Sequence, residues 1–322
     1  MSAQLLQMED LTVRFHGAQT VHAVNGVSLT LKEGETLGIL GESGSGKSVT
    51  LKTLLRLLPA TRTEISGKVL VDGQDVLKLE GRALADFRGR SVSMIFQDPA
   101  LALDPVFRIG DQIAETVMRH EGCSRAEGMS RALEMFKNVQ MPSPERRLKA
   151  YPHELSGGMR QRAMIALALA CRPKLLLADE PTTALDATVQ IQILLLLREL
   201  QEQFGMGMIF VTHDIGVVVE VSDRVAIMYA GEIIETGTVH DIIHDARHPY
   251  TKGLLAANLH GAVKGSRLNA IAGAPPALED KPATCSFAPR CPVAQETCGS
   301  QRPPFVELGP QRQVRCILAS AK

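Results

Sequence analysis

The feature that most constrains this chain is a glycine-rich loop that joins an apolar strand to a helix. Residues 41–48 read GESGSGKS and fit the pattern G-x-x-x-x-G-K-[S/T]. The strand TLGIL precedes the loop, and a segment with helical apolar spacing, TLKTLLRLL, follows it. Such a loop lets backbone N–H groups and a helix N-terminus surround an anion without Cβ clashes. The sequence therefore predicts a phosphate site in which Lys47 binds the β- and γ-phosphates and Ser48 offers its hydroxyl to Mg²⁺.

A second apolar strand ends in two acidic residues. Residues 175–180 read LLLADE, so the strand carries Asp179 and Glu180 at its carboxyl end. Ligands bind at that end of the strands in open α/β sheets. One carboxylate can hold Mg²⁺ and the next can polarise an attacking water. The two motifs together predict nucleotide hydrolysis.

Composition narrows the function classes and the expected location. The chain has 322 residues, a formal net charge of +0 and 45% apolar residues. A nucleic-acid binder usually carries a basic field, so we expect no nucleic-acid partner. The N-terminus lacks the pattern of a signal peptide, and the apolar runs are shorter than the ~20 residues of a membrane span. We therefore expect a cytosolic protein with reduced thiols.

The order of predicted elements indicates an α/β fold. Apolar strands alternate with helices, which favours a parallel sheet covered on both faces. Asp72-Gly73 predicts a tight hairpin, residues 222–237 a second hairpin, and residues 100–172 are mainly helical. Proline, arginine and cysteine become more frequent after about residue 240. We place a domain boundary near residue 238.

Four further motifs carry a family resemblance. They read FQD at 96–98, LSGGMRQR at 155–162, TALD at 183–186 and VTHD at 211–214. With the phosphate loop and the acidic strand end, they make residues 5–240 resemble the ATP-binding subunits of ABC transporters. The resemblance implies a P-loop ABC ATPase cassette at 1–238, with a mixed sheet and a helical subdomain at about 98–165. It also implies two such cassettes paired head to tail.

The resemblance assigns roles residue by residue. Glu180 is the expected catalytic carboxylate, and His213 is the expected switch histidine near the γ-phosphate. Asp186 belongs to the D-loop at the dimer interface, and the signature residues Ser156, Gly157 and Gly158 cover the ATP of the partner subunit. The expected Mg²⁺ ligands are Ser48, Gln97 and Asp179. The expected nucleotide-binding residues are Phe15, Gly41, Glu42, Ser43, Gly44, Ser45, Gly46, Lys47, Ser48 and Val49.

The C-terminal part carries a second resemblance. HPYT at 248–251 and the cysteines Cys285, Cys291, Cys298 and Cys316 resemble the extension of dipeptide and oligopeptide (peptide/nickel) transporter ATPases. We expect a small, irregular, cysteine-containing domain at 239–322. The spacing C-x₅-C-x₆-C-x₁₇-C lacks the tight knuckle typical of structural zinc sites, and by itself leaves an iron–sulfur cluster, zinc or free thiols open. The resemblance implies a [4Fe–4S] cluster.

These observations predict a transport ATPase that uses ATP and Mg²⁺. The expected solutes are dipeptides or oligopeptides, with nickel, opines, glutathione or another small solute as alternatives. The implied partners are a second ABC ATPase subunit in a heterodimer, two transmembrane permease subunits and an extracytoplasmic solute-binding protein. The implied location is peripheral, at the cytoplasmic face of the plasma membrane. A soluble ABC protein of translation or DNA repair is disfavoured because the chain has one cassette and no long coiled-coil insert.

Overall fold

The computed structural model describes residues 4–183, 185–257 and 271–319. Ala184 of the TALD motif, and residues 258–270 and 320–322 of the predicted C-terminal domain, lie outside the described part. Among the described residues the strands are β1 (Gln4–Phe15), β2 (Val21–Lys32), β3 (Thr36–Leu40), β4 (Thr63–Val71), β5 (Gln74–Asp75), β6 (Val92–Ile95), β7 (Leu175–Asp179), β8 (Gly207–Thr212), β9 (Arg224–Tyr229), β10 (Glu232–Thr238), β11 (Val306–Gly309) and β12 (Arg312–Val314).

The α-helices of the same ranges include both long amphipathic helices and single turns. They are α1 (Lys47–Leu54), α2 (Gly81–Arg90), α3 (Pro99–Ala102), α4 (Ile109–Glu121), α5 (Arg125–Asn138), α6 (Pro144–Arg147), α7 (Gly157–Leu169), α8 (Ala187–Phe204), α9 (Ile215–Val221), α10 (Val239–His244) and α11 (Pro249–Ala256). Short 3₁₀ turns occur at Ala288–Arg290 and Glu296–Gly299, among others. None of the described helices is both long enough and apolar enough to cross a membrane.

The chain forms two compact units. The first unit comprises residues up to Leu5, Lys32–Glu35 and Lys78–Ile209. In it β6 and β7 pair in parallel, and every residue of β7 is buried. Residues 100–172 are mainly helical, as predicted. In this region α4 packs beside α5, and α5 packs on α7.

The second unit comprises Leu6–Leu31, Thr36–Leu77 and the residues from Phe210 onward. One sheet has the order β2-β1-β4-β5, with β4 antiparallel to both β1 and β5. A further set of strands follows the order β11-β12-β10-β9-β3. Strands β3 and β9 are parallel, whereas β9, β10, β12 and β11 pair antiparallel to one another in turn. The sheet is therefore mixed, as the resemblance implied.

Local turn chemistry explains the two hairpins. Asp72 and Gly73 between β4 and β5 have φ values of +49° and +74°, so the predicted tight hairpin is present and has the two positive φ values of a type I′ turn. Ala230 and Gly231 between β9 and β10 have φ values of +49° and +78°. Both turns place the left-handed conformation where the right-handed twist of the strands requires it.

The C-terminal extension shares its core with the cassette strands of the second unit. The rings of Tyr229, Tyr250 and Phe287 pack together, with centroid distances of 4.6 Å, 5.3 Å and 5.4 Å. Leu40 of β3 belongs to the same buried cluster. Strand β12 also pairs with β10, an addition to the sheet that the irregular composition of this region did not predict. Apolar side chains of the extension therefore pack on a surface that the cassette strands supply.

Candidate nucleotide site and cysteine cavity

The phosphate loop closes around the ammonium group of Lys47. Its Nζ donates hydrogen bonds to the carbonyl oxygens of Gly41 and Glu42, both at 2.8 Å, and the side chain is only 5% exposed. The loop ends at the start of α1, so backbone N–H groups of the first helical turn face the loop interior. This arrangement places a positive charge beside a helix N-terminus, a combination that suits an anion.

At two glycines of the loop, a Cβ atom would clash with neighbouring backbone. Gly46 has a φ of +101°, and a Cβ atom there would lie 2.4 Å from the Ala23 carbonyl oxygen. A Cβ atom on Gly41 would lie 2.1 Å from the carbonyl oxygen of Met228. The loop thus packs directly on the backbone of β2 and β9, a contact for which glycine leaves room.

The acidic end of β7 lies in the first unit and is joined to the FQD segment. Asp179 is buried, at 5% exposure, and Glu180 follows it with a φ of +46°. The Glu180 carboxylate accepts a hydrogen bond from Gln97 Nε2 at 3.3 Å and another from Thr183 Oγ1 at 3.0 Å. A glutamate with a left-handed backbone conformation is strained, and such strain is typical of functional positions.

The signature segment starts helix α7. Ser156 is its N-cap, and its Oγ accepts a hydrogen bond from the Met159 N–H at 3.4 Å. A Cβ atom on Gly158 would lie 3.0 Å from Val189 in the first turn of α8, so a glycine there permits the close approach of the two helix starts. Asp186 caps α8 by accepting the Val189 N–H at 3.0 Å.

The remaining predicted residues, Phe15 and His213, lie at the ends of strands. Phe15 ends β1, is half-buried, and pairs in register with Thr63 of β4. His213 is exposed and directly follows β8. The site residues thus fall into two groups. Phe15, residues 41–49 and His213 belong to the second unit, whereas Gln97, Asp179, Glu180, the signature residues and Asp186 belong to the first.

The four C-terminal cysteines line one small cavity. Cys285, Cys291, Cys298 and Cys316 share it with apolar side chains that include Phe287, Pro303 and Ile317. The Gln295 N–H donates to Cys298 Sγ at 3.4 Å. Burial raises the pKa of the Cys285 and Cys316 thiols, while backbone N–H groups directed at both sulfurs oppose that rise.

The four thiols of this cavity are of the type that binds a soft metal. Their side chains are not, however, arranged as the ligands of one metal ion. Four thiols with backbone N–H groups directed at sulfur match the chemistry of iron–sulfur ligation. Within the described ranges, however, no group of at least three histidine, cysteine or acidic side chains has an arrangement that could hold a metal ion. Cys171 lies in the other unit, and burial raises its pKa to about 11, which disfavours the thiolate.

Comparison with known proteins decides the family. Residues 24–183 match the family model described as ABC transporter, and residues 234–298 match the model described as oligopeptide/dipeptide transporter, C-terminal region. The chain is 48% identical to the oligopeptide transport ATP-binding protein OppD of Salmonella typhimurium over 97% of its length and 93% of that protein. It is 46% identical to OppD of Bacillus subtilis, over 98% of this chain and 89% of that protein.

The chain belongs to the ATP-binding proteins of peptide ABC transporters.

Solved structures agree with the family at the level of the cassette. A dimeric ATP-binding cassette in a post-hydrolysis state with ADP and Pi is 31% identical, with a TM-score of 0.65 over 73% of this chain and 98% of that one. The peptide-transporter ATPase therefore has the ABC cassette fold predicted from its motifs. Its activity is ATP hydrolysis.

The structure of this peptide-transporter ATPase also shows contacts that the sequence motifs did not predict. Arg290 of the extension binds the carboxylate of Glu42 in the phosphate loop, and Tyr250 accepts a hydrogen bond from the Glu42 N–H. The available signal was the HPYT segment itself, which contains Tyr250. Its neighbour His248 is buried, which lowers its pKa to about 3, so its neutral Nδ1 accepts the Tyr250 N–H and caps α11.

Proposed function

We propose that this chain hydrolyses ATP to drive the uptake of oligopeptides or dipeptides through a membrane channel formed by other subunits. The observation that carries the proposal is one chain that combines the full set of nucleotide motifs with the transporter-specific extension. Two of its relatives are named as oligopeptide transport proteins, which supports the choice of solute. The partners are two permease subunits and an extracytoplasmic solute-binding protein, and the chain lies peripherally at the cytoplasmic face of the plasma membrane.

Each nucleotide-site residue has a role that its chemistry supports. Lys47 and the N–H groups of residues 41–49 bind the phosphates, and Phe15 stacks on adenine. The hydroxyl of Ser48, the amide of Gln97 and the carboxylate of Asp179 are the hard oxygen ligands that Mg²⁺ prefers. When bound, Mg²⁺ neutralises charge on the phosphates.

The attacking water is the second part of the mechanism. Glu180 accepts hydrogen bonds from Gln97 and Thr183, so its carboxylate is held in one orientation and can accept a proton from water. Gln97 connects this carboxylate to the helical subdomain that follows it, and His213 contacts the γ-phosphate. As Glu180 accepts its proton, the water oxygen attacks the γ-phosphorus in line with the β–γ bridging oxygen. A new P–O bond forms, the terminal phosphoanhydride bond breaks, and ADP and phosphate are released.

A complete site requires a second cassette. The signature residues Ser156, Gly157 and Gly158 begin a helix whose free N–H groups suit a second phosphate, and the N-terminus of α7 lies beside that of α8 at Asp186. We place these residues over the ATP of the partner subunit. The domain boundary of this cassette lies near residue 238, where β10 ends.

The second cassette is a different chain in this proposal. When the permeases and binding protein are co-expressed with their ATPase subunits, native mass spectrometry of the purified complex is expected to show one copy of this chain and one of a related ATPase. The complex is purified once through a tag on this chain and once through a tag on its partner, and the two subunit compositions are compared. A complex that contains two copies of this chain and no other ATPase would contradict the heterodimer.

The cysteine cavity holds a [4Fe–4S] cluster in this proposal, with Cys285, Cys291, Cys298 and Cys316 as ligands. The support is that all four cysteines line one cavity with apolar neighbours, and that backbone N–H groups are directed at three of them, Cys285, Cys298 and Cys316. The cluster would cross-link the extension, which is a structural contribution and not a step of ATP hydrolysis.

One transport experiment tests the solute. The reconstituted complex in proteoliposomes is expected to hydrolyse ATP several-fold faster when its binding protein carries a tripeptide than when the binding protein is empty, because substrate delivery completes the active assembly. Nickel, an opine and glutathione are the comparison solutes. Stimulation by one of these and none by a peptide panel would overturn peptide uptake while leaving ATP hydrolysis intact.

A further inference from the structure

The phosphate loop is held from outside the cassette by the C-terminal extension. Glu42 is the second residue of the loop, and its carboxylate forms a two-pronged ion pair with Arg290. Nη1 lies 2.7 Å from Oε2 and Nη2 lies 3.0 Å from Oε1. The backbone N–H of Glu42 also donates to Tyr250 Oη at 3.0 Å. The side chain and the backbone N–H of this loop residue are therefore both bound by residues outside the nucleotide motifs.

Arg290 is itself fixed, so the pair has one geometry. Its Nε donates to the Ala272 carbonyl at 2.9 Å, and Nη1 also donates to Tyr229 Oη at 3.3 Å. The guanidinium side chain is only 5% exposed, against 27% for Glu42. A planar guanidinium held on several sides is pre-organised for two parallel bonds to a carboxylate, which a lysine cannot reproduce.

The charge of Glu42 gives this contact a consequence for ATP. The loop gathers phosphate groups around Lys47, whose Nζ also bonds to the Glu42 carbonyl oxygen. A carboxylate in that loop without a cation would repel the triphosphate and leave the loop backbone less constrained. Arg290 neutralises this carboxylate and binds it on the side of the extension.

We propose that Arg290 is a positioning residue for the phosphate loop, and that through it the C-terminal extension sets the affinity of the chain for ATP. The proposal requires the ATPase activity but not the metal cluster. Cys291 follows Arg290 directly, and the short helix Ala288–Arg290 lies between Cys285 and Cys291. The pair therefore also connects the cysteine cavity to the nucleotide loop.

The test measures ATP binding by the full-length chain with calorimetry. Arg290→Ala is expected to raise the Kd for ATP about tenfold, with a larger effect at low ionic strength. Arg290→Lys is expected to recover part of the affinity, because it restores charge without the two-pronged contact. The double variant Glu42→Gln/Arg290→Ala is expected to recover most of it, because no uncompensated carboxylate remains. In the assembled transporter the KM for ATP should rise in Arg290→Ala while kcat stays within about twofold.

Arg302 supplies the matched control. It belongs to the same extension and pairs with Glu232 of β10, which is 3% exposed, but it does not contact the loop. Arg302→Ala is expected to lower Tm and to leave the Kd for ATP unchanged. The proposal is overturned if Arg290→Ala binds ATP like the original chain, if the double variant binds no better than Arg290→Ala, or if Arg302→Ala weakens ATP binding equally. Arg290→Lys decides the question if Arg290→Ala does not fold.

Discussion

Replacing Glu180 by glutamine is expected to lower the ATPase rate of the assembled transporter by at least about 100-fold, because the variant loses the group that accepts the proton of the attacking water. The amide keeps the size of the side chain and can still bond to Thr183, so the fold and ATP binding should persist. The strained backbone at Glu180, with a φ of +46°, should also be unchanged, because both residues tolerate it equally. The measurement is phosphate release at saturating ATP, together with the Kd for ATP.

Glu202→Gln is the matched control for this variant. Glu202 lies on α8, and its exposed ion pair with Arg198 contributes little to stability or activity. We expect Glu202→Gln to hydrolyse ATP at the original rate. An unchanged rate in Glu180→Gln would remove Glu180 from the catalytic role, and loss of ATP binding in the same variant would indicate a structural role instead.

Replacing any of the four C-terminal cysteines by serine tests the proposed cluster and is expected to remove its iron from the purified chain. Protein isolated without oxygen should contain about four iron atoms per chain and absorb broadly near ~400 nm, and Cys298→Ser should lose both signals. Cys298 is buried in the shared cavity, so its replacement should also lower Tm through loss of the proposed cluster. Iron analysis, the absorption spectrum and a melting curve measure the three effects.

Cys123→Ser is the control for the cysteine experiment. Cys123 lies in the first unit and outside the cavity, so iron content and Tm should stay unchanged. Stoichiometric zinc in the original chain, with no iron, would replace the cluster by a zinc site. Protein with neither metal under strictly anaerobic purification would leave a cavity of reduced thiols and contradict the proposal.

The nucleotide motifs could be predicted from sequence because each is local. A phosphate loop needs glycines, a lysine and a hydroxyl within eight consecutive residues, GESGSGKS, and these identities are visible without coordinates. The hairpin at Asp72-Gly73 and the end of α8 at Gly205 follow from the same short-range chemistry. The cysteine spacing could suggest thiolate ligation but could not decide between iron, zinc and free thiols, because ligand geometry depends on how the chain returns on itself.

Sequence alone thus determined the family, the ATPase chemistry and the elements that carry it, since all of these depend on residue identity and spacing. Only the tertiary structure brought Arg290 to Glu42, residues 248 positions apart, and added β12 of the extension to β10. Neither contact could be predicted from the neighbouring sequence. An arginine in an irregular segment and a short polar strand have no recognisable partner until the fold places one opposite them. The physical reason is that long-range ion pairs and strand additions depend on chain topology, which is set by the packing of the whole core around Tyr229, Tyr250 and Phe287.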